Sequence, residues 1–413
     1  MNKLSLVLFL VLTYTGCVAQ AAEQHNHEMQ GVSQTSEQER DKRWLESLAK
    51  PSLAITAAFD EKGRLWRVLA HERHVLVSHS DDGGNSFSQP VKVNSAAEDI
   101  LGDGENRTKI VVRKGVIYVS YTQGLAKHMT GHIRFSRSAD GGETFSPPIT
   151  VNDNLEIISH RFEAMGVNER GQAYIAWLDK RDLSAATKKG EKYTGLGVYY
   201  AVSDDNGASF HANVRAAEHG CECCRVAMAM DIDGVPVIAW RHVFGKNVRD
   251  HAMLRLDGKS PLVRVSNDNW EVDACPHHGP ALSIASDGVY HFVWFNNAPE
   301  RHGLFYANSS DRGKSFSSPL SFGNFKAQAA HPNVLSLGKR VFIVWKEFDG
   351  VTTTINLIRS GDGGMSWSVP SRVASTSEAS DHPWLIADGE KAYLSWNTLA
   401  EGYRLLNLVE DKP

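Results

Sequence analysis

Ser80-Asp81-Asp82-Gly83-Gly84-Asn85-Ser86-Phe87 is the stretch that decides the fold, because its pattern recurs along the chain. Ser-x-Asp-x-Gly-x-x-aromatic returns as Ser138-Asp140-Gly142-Phe145, Ser203-Asp205-Gly207-Phe210, Ser309-Asp311-Gly313-Phe316 and Ser360-Asp362-Gly364-Trp367. Each copy follows a short apolar run, such as Gly-Val-Tyr-Tyr-Ala-Val at 197–202. The pattern is turn chemistry. An Asp carboxylate folds back onto nearby backbone N–H groups, Gly permits positive φ, and the aromatic ring plugs the turn against a sheet. Five copies at this spacing predict a repeat architecture.

Strand signals surround the repeats. Second strands read as apolar runs at 64–70, 117–121, 174–177, 237–240, 291–294, 342–345 and 393–396, and a third strand follows each. First strands begin near Pro51, Arg107, Arg161, Arg225, Pro280, Pro332 and Pro383. Alternating, β-branched and aromatic composition supports strands over helices. The expectation is an all-β propeller of seven blades, with six as the alternative. The seventh unit stops after its third strand. Arg43–Ala49 is expected to supply the missing outer strand, closing the ring with N- and C-terminal strands. A short helix at Arg43–Leu48 with a three-stranded last blade is the other option. The fourth unit lacks the motif and carries a shorter turn, Asp257-Gly258-Lys259-Ser260.

The recurring turn is the Asp box, and over most of residues 50–410 the chain resembles the sialidase-like (BNR-repeat) superfamily of β-propellers. The resemblance implies boxes between third and fourth strands at the outer edge, with chemistry at the axis. A sialidase would need three arginines for a substrate carboxylate, a Tyr nucleophile with a Glu partner, and an Asp acid/base. Arg107, Arg161 and Arg225 begin three successive units and fit an arc for a small anion or acidic sugar. Bracing of strand ends is their other reading. The rest departs from the family. The opening unit reads Lys50-Pro51-Ser52-Leu53-Ala54, without the usual first arginine motif. No Tyr stands at the start of an inner strand in the last units. Glu105 and Glu163 are carboxylates near the axis, and spacing does not pair them.

A chain of 413 residues suits one propeller domain at 43–413. A net charge of −4 without a long basic run argues against nucleic acid as partner. Lys3 followed by the apolar stretch Leu4–Leu12 reads as a signal peptide, 1–21, since it is too short to span a bilayer. Export to the periplasm or beyond is therefore expected. Cleavage near Ala19-Gln20-Ala21 gives a soluble protein, whereas Tyr14-Thr15-Gly16-Cys17 suggests a lipid anchor at Cys17. Residues 22–42 are polar and expected to be a disordered linker. Within them, His25-Asn26-His27-Glu28-Met29 offers copper-type ligands.

The most unusual chemistry is Cys221-Glu222-Cys223-Cys224 and Cys275-Pro276-His277-His278. Both stretches precede inner strands, as do His160, His331 and His382. A propeller would gather these side chains at one channel mouth. Thiolates and imidazoles at that density suit copper or zinc, not magnesium or calcium. Disulfides are the competing use in an oxidising compartment, although pairings inside Cys-x-Cys-Cys would be strained. The leading expectation is a Cys/His transition-metal site, for metal handling or redox chemistry. A sialidase-like hydrolase or acidic-glycan binder, and a protein-interaction scaffold, are the alternatives.

Overall fold

The computed structural model describes residues 36–408. The expected leader, Cys17, the His25–Met29 run and the linker up to 35 lie outside those residues. Within them the fold is all-β, built from antiparallel strands. The first array shows the plan: Ile55–Phe59, Leu65–His71, His74–Ser80 and Val91–Lys92 pair in chain order. First strands of the following arrays are Lys109–Arg113, His160–Val167, Ala227–Met230, Ala281–Ile284, Ala330–Leu337 and Trp384–Asp388. Each packs beside the next, and the last packs beside the first. The arrays beginning at His160 and Ala227 merge into one eight-stranded sheet through a single pair, Gly220 with His242.

The five repeated turns share one hydrogen-bond pattern. Each Ser hydroxyl donates to its Asp Oδ1 at 2.7 Å. The Gly N–H donates to the same Ser oxygen at 2.7–2.9 Å. Three of the closing rings reach the neighbouring array: Phe87 meets Tyr403, Phe210 meets Phe135, and Trp367 meets Tyr306. All five turns join third to fourth strands. They fasten the passage from third to fourth strand in each of these arrays.

Second strands supply the core. Trp177, Trp240, Trp294, Trp345 and Trp396 are fully buried. Each indole N–H has an acceptor, for example Asp179 Oδ2 for Trp177 and Asp268 Oδ2 for Trp294. A buried indole needs that partner, because an unpaired N–H is expensive to desolvate.

Arg43–Ala49 is not an outer strand. Glu37–Leu48 forms helix α1, and the last sheet has three strands among the described residues. Local chemistry explains the correction. Ser36 Oγ accepts from Glu39 N–H, Glu37 and Glu39 sit in the first turn, and Arg43 pairs with Glu39 one turn away. The end of the expected linker, 37–42, is thus helical. A second helix, α2, Arg181–Lys189, follows the second strand of the third array and is closed by Gly190 at φ 72°.

Candidate functional site

Five of the seven first-strand loops converge on Glu105. An Asx turn presents it: Asp103 Oδ1 accepts the N–H groups of Glu105 and Asn106 at 2.9 and 2.7 Å. Glu105 Oε2 accepts from Arg225 N–H at 3.1 Å and Gly279 N–H at 2.9 Å. Its Oε1 is ion-paired with Arg225. His331 and His382 bring their Nδ1 atoms to 3.5 and 3.8 Å of the same oxygen. Burial pushes the Glu105 carboxyl up, but the Arg225 guanidinium and the nearby imidazoles hold it well below the ordinary carboxylate range.

The imidazoles form a column. His331 and His382 stack with centroids 3.5 Å apart, and His278 lies 4.4 Å from His331. Burial lowers the basicity of all three rings. Their Nδ1 atoms are buried without hydrogen-bond partners. Gly104 makes room for the column, since a Cβ there would lie 2.4 Å from the His382 ring. His331 adopts φ 51° and His277 φ 53°, left-handed conformations that a non-glycine residue holds only under external constraint.

The thiols gather next to this column. Cys221–Cys224 links the strand Val214–Gly220 to Ala227–Met230. Cys221, Cys223 and Cys224 are buried, with Cys221 to Cys223 and Cys223 to Cys224 both at 3.9 Å between sulfurs. Cys275 and His277 are exposed, and their donor atoms lie within 4.8 Å of Cys223 and of one another. The four cysteines among the described residues are free thiols. Hydrogen bonds from Cys223 and Cys224, helped by Arg241 and Arg249, hold the Cys221 thiol well below its ordinary pKa. Arg249 Nη1 is 3.1 Å from its sulfur. Cys223 and Cys224 are pushed up, Cys223 mainly by its sulfur neighbours and Cys224 mainly by burial. The cluster therefore concentrates thiolate character at Cys221.

Other expected site residues separate. His160 joins neither group: its Nδ1 pairs with Asp179 Oδ2 at 2.9 Å and its ring stacks on His132. Arg107 does not face an open arc. It is fully buried, bonded to Asp381 at 2.6 Å and to Ile55 O at 3.0 Å. Arg225 is taken up by Glu105. Arg161, 6% exposed, has no ion pair among the described residues, and its Nε lacks a hydrogen-bond partner. It lies over Phe162 and Trp44. Behind the loops, Lys109 is 4.0 Å from Glu163, and burial lowers the ammonium to about 8 while raising Glu163.

Helix α1 stands between two openings. One cavity of about 630 Å³ is lined by Trp44, Lys50, Arg73, Asp103, Asp381 and His382 among others. The second, about 400 Å³, touches Arg40, Lys127, Arg161, Cys223, Cys275 and His277. Trp44 anchors the helix through Nε1 to Leu125 O at 3.1 Å.

Sequence reading left Arg241, Arg249 and Asp381 out. Asp381 had a signal, its place directly before His382-Pro383. Arg241 and Arg249 lie within a long hairpin, and nothing in their local sequence marks them as thiolate partners.

No family model and no curated protein matches the chain. Solved structures do match it. A polysaccharide lyase described as a PL25 ulvan lyase superposes with a TM-score of 0.56 at 10% identity, covering 87% of this chain and 93% of that one. A protein of unknown function from Dyadobacter fermentans DSM 18053 gives 0.50 at 14% identity, covering 75% and 96%. The Hadza microbial sialidase Hz136 gives 0.48 at 13%, covering 82% and 74%. Likeness at these identities is a likeness of fold: all-β and propeller-like.

Proposed function

We propose that this chain is an exported, seven-bladed Asp-box propeller that captures and buries a soft transition metal, copper before zinc. The cyclic packing of the first strands supports seven blades, with the first and last blades meeting through their inner strands. The observation that carries the metal reading is the sulfur geometry. Thiolates around one ion at the ~2.3 Å zinc–sulfur distance stand about 3.8 Å apart, and these sulfurs stand at 3.9 Å. Cys223 belongs to two donor sets, an outer one with Cys275 and His277 and an inner one with Cys221 and Cys224. Metal taken at the exposed pair then has a route inward through Cys223. Arg249 and the apolar packing around the inner sulfurs favour a low-charge, thiolate-bound ion.

Elemental analysis of the mature protein with a parallel thiol count tests this. One thiolate-bound copper or zinc per chain is expected, that ion being lost in Cys223→Ser and confined to a weaker, chelator-accessible site in C221S/C224S. Metal-free protein with all four cysteines oxidised would sink the reading.

Arg161 sustains a second reading. A buried guanidinium with no ion pair among the described residues, beside a cavity and on a fold similar to that of a polysaccharide lyase, suits an acidic sugar. Turnover or binding of an acidic glycan that is lost in Arg161→Ala and indifferent to chelators would favour it.

A further inference from the structure

We infer that Glu105, His331 and His382 form a second metal site, chemically distinct from the thiolate cluster and selective for a borderline divalent ion such as zinc or copper(II). Its donors are one carboxylate oxygen and two imidazole nitrogens, all within 4.8 Å of one another. The two Nδ1–Oε1 separations, 3.5 and 3.8 Å, exceed ordinary hydrogen bonds. They are close to the spacing of about 3.3–3.6 Å between donors that share a tetrahedral ion at ~2.0–2.2 Å. Both Nδ1 atoms are buried and unpartnered, which leaves two desolvated lone pairs aimed at one carboxylate. An ion between them would satisfy both at once. The left-handed backbone of His331 and the close seat of His382 on Gly104 are constraints that hydrogen bonding alone does not explain.

Arg225 shares Glu105 Oε1, so the carboxylate's charge is already matched. The ion must therefore bring an anionic or water ligand of its own. Three protein donors leave a fourth position for it, and His382 borders the cavity of about 630 Å³ through which it would enter. Three ligands with an open position is the pattern of zinc sites that bind or activate a small molecule.

Cobalt(II) separates the two sites by spectrum. The variant C221S/C223S/C224S/C275S should bind one Co(II) with visible d–d bands and no sulfur-to-cobalt charge transfer. Adding Glu105→Gln or His331→Gln should weaken that binding at least tenfold. The converse variant H331Q/H382Q, with cysteines intact, should keep the sulfur band and bind one equivalent fewer than wild type. Wild-type stoichiometry in H331Q/H382Q, or a folded cysteine-free variant that binds no Co(II), overturns the second site. Neither result touches the thiolate reading, for which the sulfur band in wild type is a separate test.

Discussion

Glu105 and Asp381 show how a carboxylate's partners define its role. Asp381 Oδ1 is bonded to Arg107 and Oδ2 accepts Ile55 N–H, tying the last array to the first two. Removing one member of such a buried pair strands the other, at about 3–5 kcal/mol. Arg107→Met should therefore cost several kcal/mol in urea unfolding. An anion-binding role would instead leave stability intact and remove only ligand affinity. Gly104 gives a sharper probe of the imidazole column. Its backbone tolerates a side chain, but the new Cβ would collide with His382. Gly104→Ala should lower Co(II) affinity at the Glu105 site at least tenfold and leave the sulfur-to-cobalt band unchanged. Equal affinity in the two proteins would show that His382 is not a ligand.

Turns and helices carry different kinds of information at the scale of elements. The repeated turn is encoded locally: Ser, Asp and Gly make their own hydrogen bonds wherever the flanking strands put them. Gly207 is a strict case, with φ 82° and the Phe135 ring only 2.6 Å from where a Cβ would lie. Gly207→Ala should destabilise the protein by more than about 1 kcal/mol, combining backbone strain with a clash. A loss within about 0.3 kcal/mol in chemical denaturation would contradict this account. Helix α1 was legible only as an alternative. Its caps and charge pairs are local, but its position across the openings depends on Trp44 meeting Leu125 and Arg161. Trp44→Ala should loosen that contact and speed alkylation of Cys275 and Cys223 several-fold. Unchanged thiol reactivity would mean that the helix does not guard the cavity.

Histidine burial gives the whole molecule a pH dependence. Burial lowers His242 and His291 to about 4, and His382 is lowered well below its ordinary value. Between roughly pH 6.5 and 4 the unfolded chain binds protons that the folded chain refuses. Stability is therefore lost as pH falls through that window, by up to about 1.4 kcal/mol per pH unit for each such group. Glu105 has the same sign of linkage in a lower pH window. Its depressed pKa contributes stability above the ordinary carboxylate range, and that is lost only at lower pH. The Tm of metal-free protein should drop as the pH falls from about 6.5 towards 4, with little change above that window. His291→Gln, which can still meet Tyr306 OH, should flatten that slope. Parallel slopes for the two proteins would refute the assignment.

At this largest scale the strand arrays, the turn motif and the grouping of inner-strand loops were all readable from the chain. Each rests on short-range periodicity or on residues within one turn of each other, so local sequence suffices. The grouping of Cys221, Cys223, Cys224, Cys275 and His277 followed from position in the repeat. Folding alone decided that His160 faces Asp179, that Arg107 and Arg225 are consumed by carboxylates, and that Glu105 sits at the meeting point of five loops. Those outcomes depend on distant partners: Arg107 and Asp381, for example, are 274 residues apart. Side chains from loops that close on one another choose partners by distance and charge in three dimensions, and no spacing in the sequence records that choice.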